Sequence, residues 1–517
     1  MTTKQKILKQ YFTNAHDIKN MMCELLGSVD GLSLLEPSVG HGAFFSGLIG
    51  TPKCIDAVDV DGDALKTVYE KFKHLNIDLH HCDFIRIFDN DLLSDSHKVA
   101  ETTYDAVISN PPYGLYFELE YRRQLKKTYP DFYVRESYGL FFMLSLLRLK
   151  ENGRYVFLLP DTFLSSVTHT PLRKFIMGHA APTHIIRFPS SKFETVNFAY
   201  GNLCIIAGNK RESSSTDELF WSNIFDKNIA LGKEEIENIV VSGLQLSQNI
   251  SSGWSEASFS TQSDEISDWI TLGELAECRT GIYTGDNEKF IGYDPEKVTR
   301  RINGHPIRWD CVNEEDLTEK EKEKGISSGK YYVPMIRGGH RQPFDQPSSA
   351  INWSEEAVEF YKNNKKSRLQ NSKFYFKSGL SMPMVTTRRI SAALMNNAVF
   401  DQGVVGIFPH QGEDIPSLLI YLNSTEASRR MKEITNGSAN NSANYIKRLP
   451  VPKFTNEQYK RAEEIYLEAT KNKYLPLDIC DEFVQSVIGA TIPDMSEDQL
   501  AGLPNDVGIL EINLRSN

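Results

Sequence analysis

Two hydrophobic periods alternate over the first 210 residues. Short apolar runs at 33–37, 54–60, 77–83, 105–110, 154–160, 183–188 and 202–208 are bounded by Gly, Pro, Asn or Asp and read as strands. Between them lie segments with a 3.6-residue repeat: "HDIKNMMCELL" (16–26), "DGDALKTVYEKF" (61–72) and "GLFFMLSLLRLK" (139–150). Strands alternating with helices predict an α/β domain around a mostly parallel sheet. The turn "KENGR" is expected to close the last of these helices, with Gly153 near its C-cap.

Beyond residue 210 the pattern changes. The Ser- and Glu-rich stretch "SSGWSEASFSTQSDEISDW" (251–269) reads as a linker. A unit richer in short strands and Gly-containing turns starts near Thr271 and ends near "RLPVPKF" (448–454). The last sixty residues open on the amphipathic "NEQYKRAEEIYLEATK" and hold the apolar "CDEFVQSVIGA". The expected organisation is an α/β domain over 1–245, a linker over 246–270, a mixed α+β domain over 271–455 and a helical segment over 456–517. A chain of 517 residues has room for two or three cores.

Composition narrows the classes. There is no run of about 18 apolar residues, and "MTTKQKILKQYF" lacks a signal-peptide core, so a cytoplasmic protein is expected, with no membrane partner. The seven cysteines show no CxxC or CxxH spacing, which indicates neither a metal site nor a disulfide framework. A net charge of −11 argues against wholesale wrapping of nucleic acid. Yet from Phe360 to Phe400 there are eight Lys and Arg, among them Lys365, Lys366, Arg388 and Arg389, and no acid. Such a stretch in an acidic chain suits a polyanion.

Candidate chemistry gathers at strand ends. "LLEPSVGHGAF" breaks into GxG at Gly40 and Gly42, where missing Cβ atoms let a ligand approach the backbone. The second strand ends "VDVD", and an acid there, Asp59, can accept both hydroxyls of a ribose. The third ends "HHCDF"; Asp83 could receive an adenine amino group, though an aspartate at that place also suits a helix N-cap. The fourth, "YDAVI", runs into "SNPPYGL". Two prolines forbid ladder bonds and push Asn110 into an extended conformation, fixing its amide beside the ring of Tyr113.

Acid-Pro-x-x-Gly-x-Gly, Asp59, Asp83 and "NPPY", each at the end of a successive strand, together resemble the class I S-adenosylmethionine-dependent methyltransferases. More narrowly they resemble the N6-adenine DNA methyltransferases of the gamma order, with a Rossmann-like catalytic domain first and a target recognition domain last. "YFTNAHDIKNMM" matches that family's N-terminal cofactor motif, with Asn14 where the family has proline. "SYGLFFMLSLLRLKENGRYVFLLPDTFL" and "RFPSSKFETVNFAYGNLCIIAG" match later motifs. The likeness is close over about 10–210, loose over 271–455 and absent from the last sixty residues. It implies S-adenosylmethionine held by Thr13, Glu36, Pro37, Ser38, Gly40, Gly42, Asp59, Val60, Asp83, Phe84 and Asn110. It implies catalysis by Asn110, Pro111, Pro112 and Tyr113, and a flipped base held by Tyr113 and Phe193, with Phe198 as the alternative. Double-stranded DNA is the implied partner, contacted by Lys365, Lys366, Arg388 and Arg389.

The chemistry is consistent with that likeness. Adenine's exocyclic nitrogen is a poor nucleophile because its lone pair is delocalised into the ring. Two fixed acceptors, the Asn110 side-chain oxygen and the Pro111 carbonyl, would draw it toward tetrahedral geometry by orientation and electrostatics alone. C5-cytosine methylation needs a nucleophilic cysteine, usually after proline, and no cysteine here follows one. N4-cytosine enzymes usually carry Ser in place of Asn110. Protein-glutamine and ribosomal RNA methyltransferases share "NPPY" but typically lack a large C-terminal unit. An intact "NPPY" counts against a pure recognition subunit. No nuclease carboxylate-lysine pattern is evident, so any restriction endonuclease is expected to be a separate partner.

Overall fold

A computed structural model describes residues 16–88, 98–115, 117–192, 202–224, 238–259, 269–297, 303–338, 342–386, 389–435 and 440–489. The chain divides into two compact units, one reaching residue 260 and the other beginning at 261.

The first unit is built on a nine-stranded sheet. Its first five strands are β1 (Ser33–Glu36), β2 (Cys54–Asp59), β3 (Ile77–His81), β4 (Tyr104–Ser109) and β5 (Leu149–Pro160). They are followed by β6 (Ala181–Pro189), β7 (Asn202–Asn209), β8 (Glu218–Asn223) and β9 (Ile239–Ser242). The spatial order is β3-β2-β1-β4-β5-β7-β6-β8-β9. Neighbours from β3 to β5 pair in parallel, whereas β7 runs antiparallel to both β5 and β6. The order reverses between β1 and β4, which opens a crevice at their carboxyl ends.

Helices cover the sheet as the apolar period requires. Helix α1 (His16–Leu26) buries Ile18, Met21, Met22, Cys23 and Leu26 on one stripe. Helix α2 (Gly62–Lys71) starts at Asp61, whose side chain accepts from the Asp63 N–H. Helix α3 (Ser137–Leu147) is apolar on every side and buries all its residues except Leu147. Such a helix can lie only inside a core.

Two expectations need correction here. Helix α3 ends at Leu147 with Arg148 as its C-cap, so Gly153 caps nothing. Gly153 instead lies in a bulge of β5, where one residue of β4 faces four of β5 between the pairs Tyr104↔Leu149 and Ala106↔Arg154. Asn152 takes the left-handed conformation (φ 61°), and a Cβ on Gly153 would sit 2.8 Å from the Lys150 carbonyl. The expected linker 246–270 is likewise structured through Phe259. Leu246, Trp254 and Phe259 are buried in the core of the first unit, and the Trp254 indole N–H donates to the Leu246 carbonyl at 2.9 Å. Its polar composition hid one large apolar anchor.

The second unit combines sheets and helices. A four-stranded antiparallel sheet runs, in spatial order, Ala276–Thr280, Val404–Pro409, Gly379–Pro383 and Ala393–Met395. A five-stranded mixed sheet runs His305–Pro306, Ile291–Tyr293, Ser349–Asn352, Tyr332–Ile336 and Val399–Phe400. Helices Asn456–Asn472 and Leu477–Ile488 place Ala462, Ile465, Ala469, Cys480, Phe483 and Val484 in one core with Leu418–Leu422. Through Ile488, the segment expected to stand apart from 456 onward is therefore part of this unit.

Candidate active site

The site is assembled from the loops that leave the carboxyl ends of β1, β2 and β4. After β1 the backbone turns through Gly40 (φ 50°) and Gly42 (φ 71°), in the left-handed region that glycine adopts without strain. The Gly40 N–H points at β2 and donates to Asp59 Oδ2 at 2.8 Å, while Asp61 N–H donates to Asp59 Oδ1 at 2.8 Å. Asp59 thus ties the glycine loop to the start of α2. Beside it lies Glu36, 1% exposed, with Oε2 lacking a hydrogen-bond partner among the described residues. Burial first, and the neighbouring charge of Asp59 second, push the Glu36 carboxyl well above the usual carboxylate range.

Across the β1–β4 crevice Ser38 meets the end of β4. Its Oγ lies 2.9 Å from Ser109 Oγ and donates to the main-chain carbonyl of Asn110 at 3.2 Å. Asn110 is half-buried, Pro111 is buried and Pro112 is half-buried. Ser137, at the start of α3, donates through Oγ to the Pro112 carbonyl at 2.6 Å and through its N–H to the Leu115 carbonyl at 3.0 Å. The loop after β4 is therefore gripped from both sides, with Asn110 between.

Tyr113 occupies an unexpected place. Its ring is 1% exposed and belongs to the first unit's core. Its hydroxyl lies 2.8 Å from the Leu158 carbonyl on β5 and within hydrogen-bond distance of the Asn110 side-chain amide. A ring so placed offers no open face to a base in this conformation.

The remaining expected residues divide into groups. Pro37 and Gly42 are buried, and Val60 is exposed. Phe84 is buried and stacks on Phe141 at 5.3 Å, so it is a core residue on the described geometry. Asp83 accepts from the Ile85 N–H at 2.9 Å at the entrance to the short helical turn Arg86–Phe88. That is the local capping role its position also suited. Thr13, Phe193, Phe198 and Arg388 lie outside the described residues.

In the second unit the basic stretch is sorted by its contacts. Lys365 and Lys366 are exposed. Arg389 is half-buried and donates to the Asn423 carbonyl at 2.7 Å. Lys362 donates to the Glu323 carbonyl at 3.0 Å. Lys373, Lys377 and Arg279 gather over the Phe374 ring at 5.1, 5.5 and 5.8 Å. Arg279 lies far outside the 360–400 run, so no local sequence signal could have joined it to the two lysines.

Sequence reasoning also missed Asp161. It follows β5 and pairs with Arg187 of β6 at 2.8 Å, both side chains being almost fully buried. The visible signal was an acid directly after the apolar run "RYVFLLP". Among the described residues no cluster of His, Cys, Asp or Glu could hold a metal ion, and no helix is long and apolar enough to cross a membrane.

Comparison with known proteins gives this geometry a context. Residues 53–193 match the family model described as Eco57I restriction-modification methylase. The type II methyltransferase M.HincII of Haemophilus influenzae is 29% identical over 198 residues, covering 37% of this chain and 35% of that protein. M.AccI of Acinetobacter calcoaceticus is 24% identical over 302 residues, 55% of this chain and 53% of that protein. The matched stretches thus span only a third to a half of these relatives' own length. Among solved structures, the type IIL restriction-modification enzyme MmeI, determined in complex with DNA, superposes with a TM-score of 0.53 at 14% identity. That match covers 97% of this chain and 75% of MmeI. Taken with the strand order, the chain has a mixed α/β fold shared with this restriction-modification enzyme.

Proposed function

We propose that this chain is a site-specific DNA methyltransferase of the restriction-modification type, transferring a methyl group from S-adenosylmethionine to the N6 amine of a flipped adenine. The observation that carries the reading is the placement of Asn110. It sits at the end of β4, held through its carbonyl by Ser38 from the glycine-bearing β1 loop. An amide acceptor and a glycine loop on either side of the switch point bring an amine-activating group beside a cofactor cradle.

The residues present fit S-adenosylmethionine. Glu36 Oε2 is a buried acceptor without a protein partner among the described residues, which suits a ligand N–H, and Asp59 is an acid at the ribose position of the fold. Glu36, Ser38, Gly40, Asp59 and Val60 would hold it, and when bound it supplies an electrophilic sulfonium methyl. The chain's own groups do the rest. Asn110 Oδ1 and the Pro111 carbonyl accept from the amine and aim its lone pair. Tyr113 and Phe193 stack on the extruded base, which takes the place of the atoms now burying the Tyr113 ring. Lys365 and Lys366 contact DNA phosphates. Names such as type II methyltransferase among the relatives support this substrate class, and a separate endonuclease would complete a restriction-modification pair.

The test is direct. Genomic DNA sequenced by a modification-sensitive method, with and without the gene, should show one N6-methyladenine motif that disappears with Asn110→Ala while cofactor binding survives. N4-methylcytosine, or no DNA mark at all, would overturn the reading.

A further inference from the structure

Ser109, the last residue of β4, is fully buried. Its hydroxyl proton therefore needs an acceptor inside the protein, and Ser38 Oγ, 2.9 Å away, is its partner among the described residues. That choice fixes a direction. Ser109 donates to Ser38, which leaves the one Ser38 proton for the Asn110 main-chain carbonyl at 3.2 Å. We infer that Ser109 and Ser38 are positioning residues, whose one-way relay of hydroxyls holds the Asn110–Pro111 peptide plane that carries both proposed amine acceptors and ties it to the glycine loop. The inference rests on the proposed methyl transfer and adds to it Ser109, a residue that the transfer itself does not call on.

The geometry gives the plane a reason to be held. Asn110 Oδ1 and the Pro111 carbonyl must keep one spacing to meet the two N–H groups of a single amine. The proline ring fixes its own φ, so rotation about the Asn110 Cα–C bond is a principal freedom left between them. A hydrogen bond to the Asn110 carbonyl restrains that rotation. The far end of the relay is firm as well. The Val39 N–H donates to the Val58 carbonyl of β2 at 2.9 Å and the Gly40 N–H to Asp59, so Ser38 is carried by a loop fixed on β2. Ser109 is set by its pairing with Phe157 of β5.

Single-turnover methylation at saturating S-adenosylmethionine should slow about tenfold in Ser38→Ala and about threefold in Ser109→Ala, where Ser38 keeps its proton but loses its anchor. Because both act through one relay, the double variant should be no slower than Ser38→Ala. Ser38→Thr keeps the hydroxyl and should run within about twofold of the wild type, and DNA affinity should stay within about twofold throughout. A second readout needs neither cofactor nor DNA. Asn110–Pro111 is the only Asn-Pro pair in the sequence, so isotope labelling of asparagine carbonyls and proline nitrogens isolates the Asn110 carbonyl in a single NMR signal. It should move upfield in Ser38→Ala, as a carbonyl carbon does on losing a hydrogen bond. An unmoved signal, an unchanged rate for Ser38→Ala, or losses that multiply in the double variant overturns the inference. Wild-type turnover by Asn110→Ala, with the signal still moving, would instead remove the reading beneath it.

Discussion

The backbone N–H of Gly40 donates to Asp59 Oδ2 at 2.8 Å, so the loop leaving β1 and the end of β2 are a single hydrogen-bonded piece. The other carboxylate oxygen takes the Asp61 N–H at the same distance. Asp59→Asn should break this arrangement, because an amide has one acceptor and must turn its NH2 toward one of the two N–H donors. A stability loss of about 1–3 kcal/mol is expected in urea titration, together with weakened S-adenosylmethionine binding by calorimetry. Full stability in the variant would show that the bond does not organise the loop.

Glu36 predicts a pH dependence. Burial and then Asp59 raise its folded-state pKa, so above the ordinary carboxylate range the folded chain binds a proton that the unfolded chain has released. The stability that this proton supports is complete below about pH 4 and is lost as pH rises toward the raised value. Glu36→Gln keeps the shape without the titration. Its unfolding free energy, measured from pH 5 to 8, should fall less with pH than that of the wild type; parallel curves would mean that Glu36 is already charged in the fold.

Trp254 tests where the first unit ends. If residues 246–259 were a linker, Trp254→Ala would scarcely alter unfolding. Because the side chain is fully buried and its indole N–H is bonded to Leu246, a loss of about 3–5 kcal/mol is expected instead, seen as a lowered denaturation midpoint of the first unit.

The exposed lysines make an electrostatic prediction. Replacing Lys365 and Lys366 together by Glu should weaken binding to every DNA sequence alike. It should also flatten the plot of log affinity against log salt by about 0.9 for each phosphate that is no longer neutralised. Lost sequence preference with an intact slope would place these lysines off the backbone.

Much of the first unit was legible along the chain. The seven expected strand positions correspond to β1–β7, and the three helical segments to α1, α2 and α3. Period, turn residues and caps are local properties, written within a few residues of where they act. The strand ends that carry Glu36, Asp59 and Asn110 could be found for the same reason, since each is a break in an apolar run.

Tertiary structure alone decided what joins distant segments. It set β7 between β5 and β6 and drew Trp254 into a core that its polar neighbours concealed. It brought Arg279 to the lysines around Phe374 and turned Arg389 toward the Asn423 carbonyl. It also set the Tyr113 hydroxyl against Leu158, 45 residues away, where the sequence suggested only a ring beside an amide. Each of these contacts depends on the order in which strands are laid side by side. That order follows from the joint burial of many apolar faces, so no single stretch of sequence carries it.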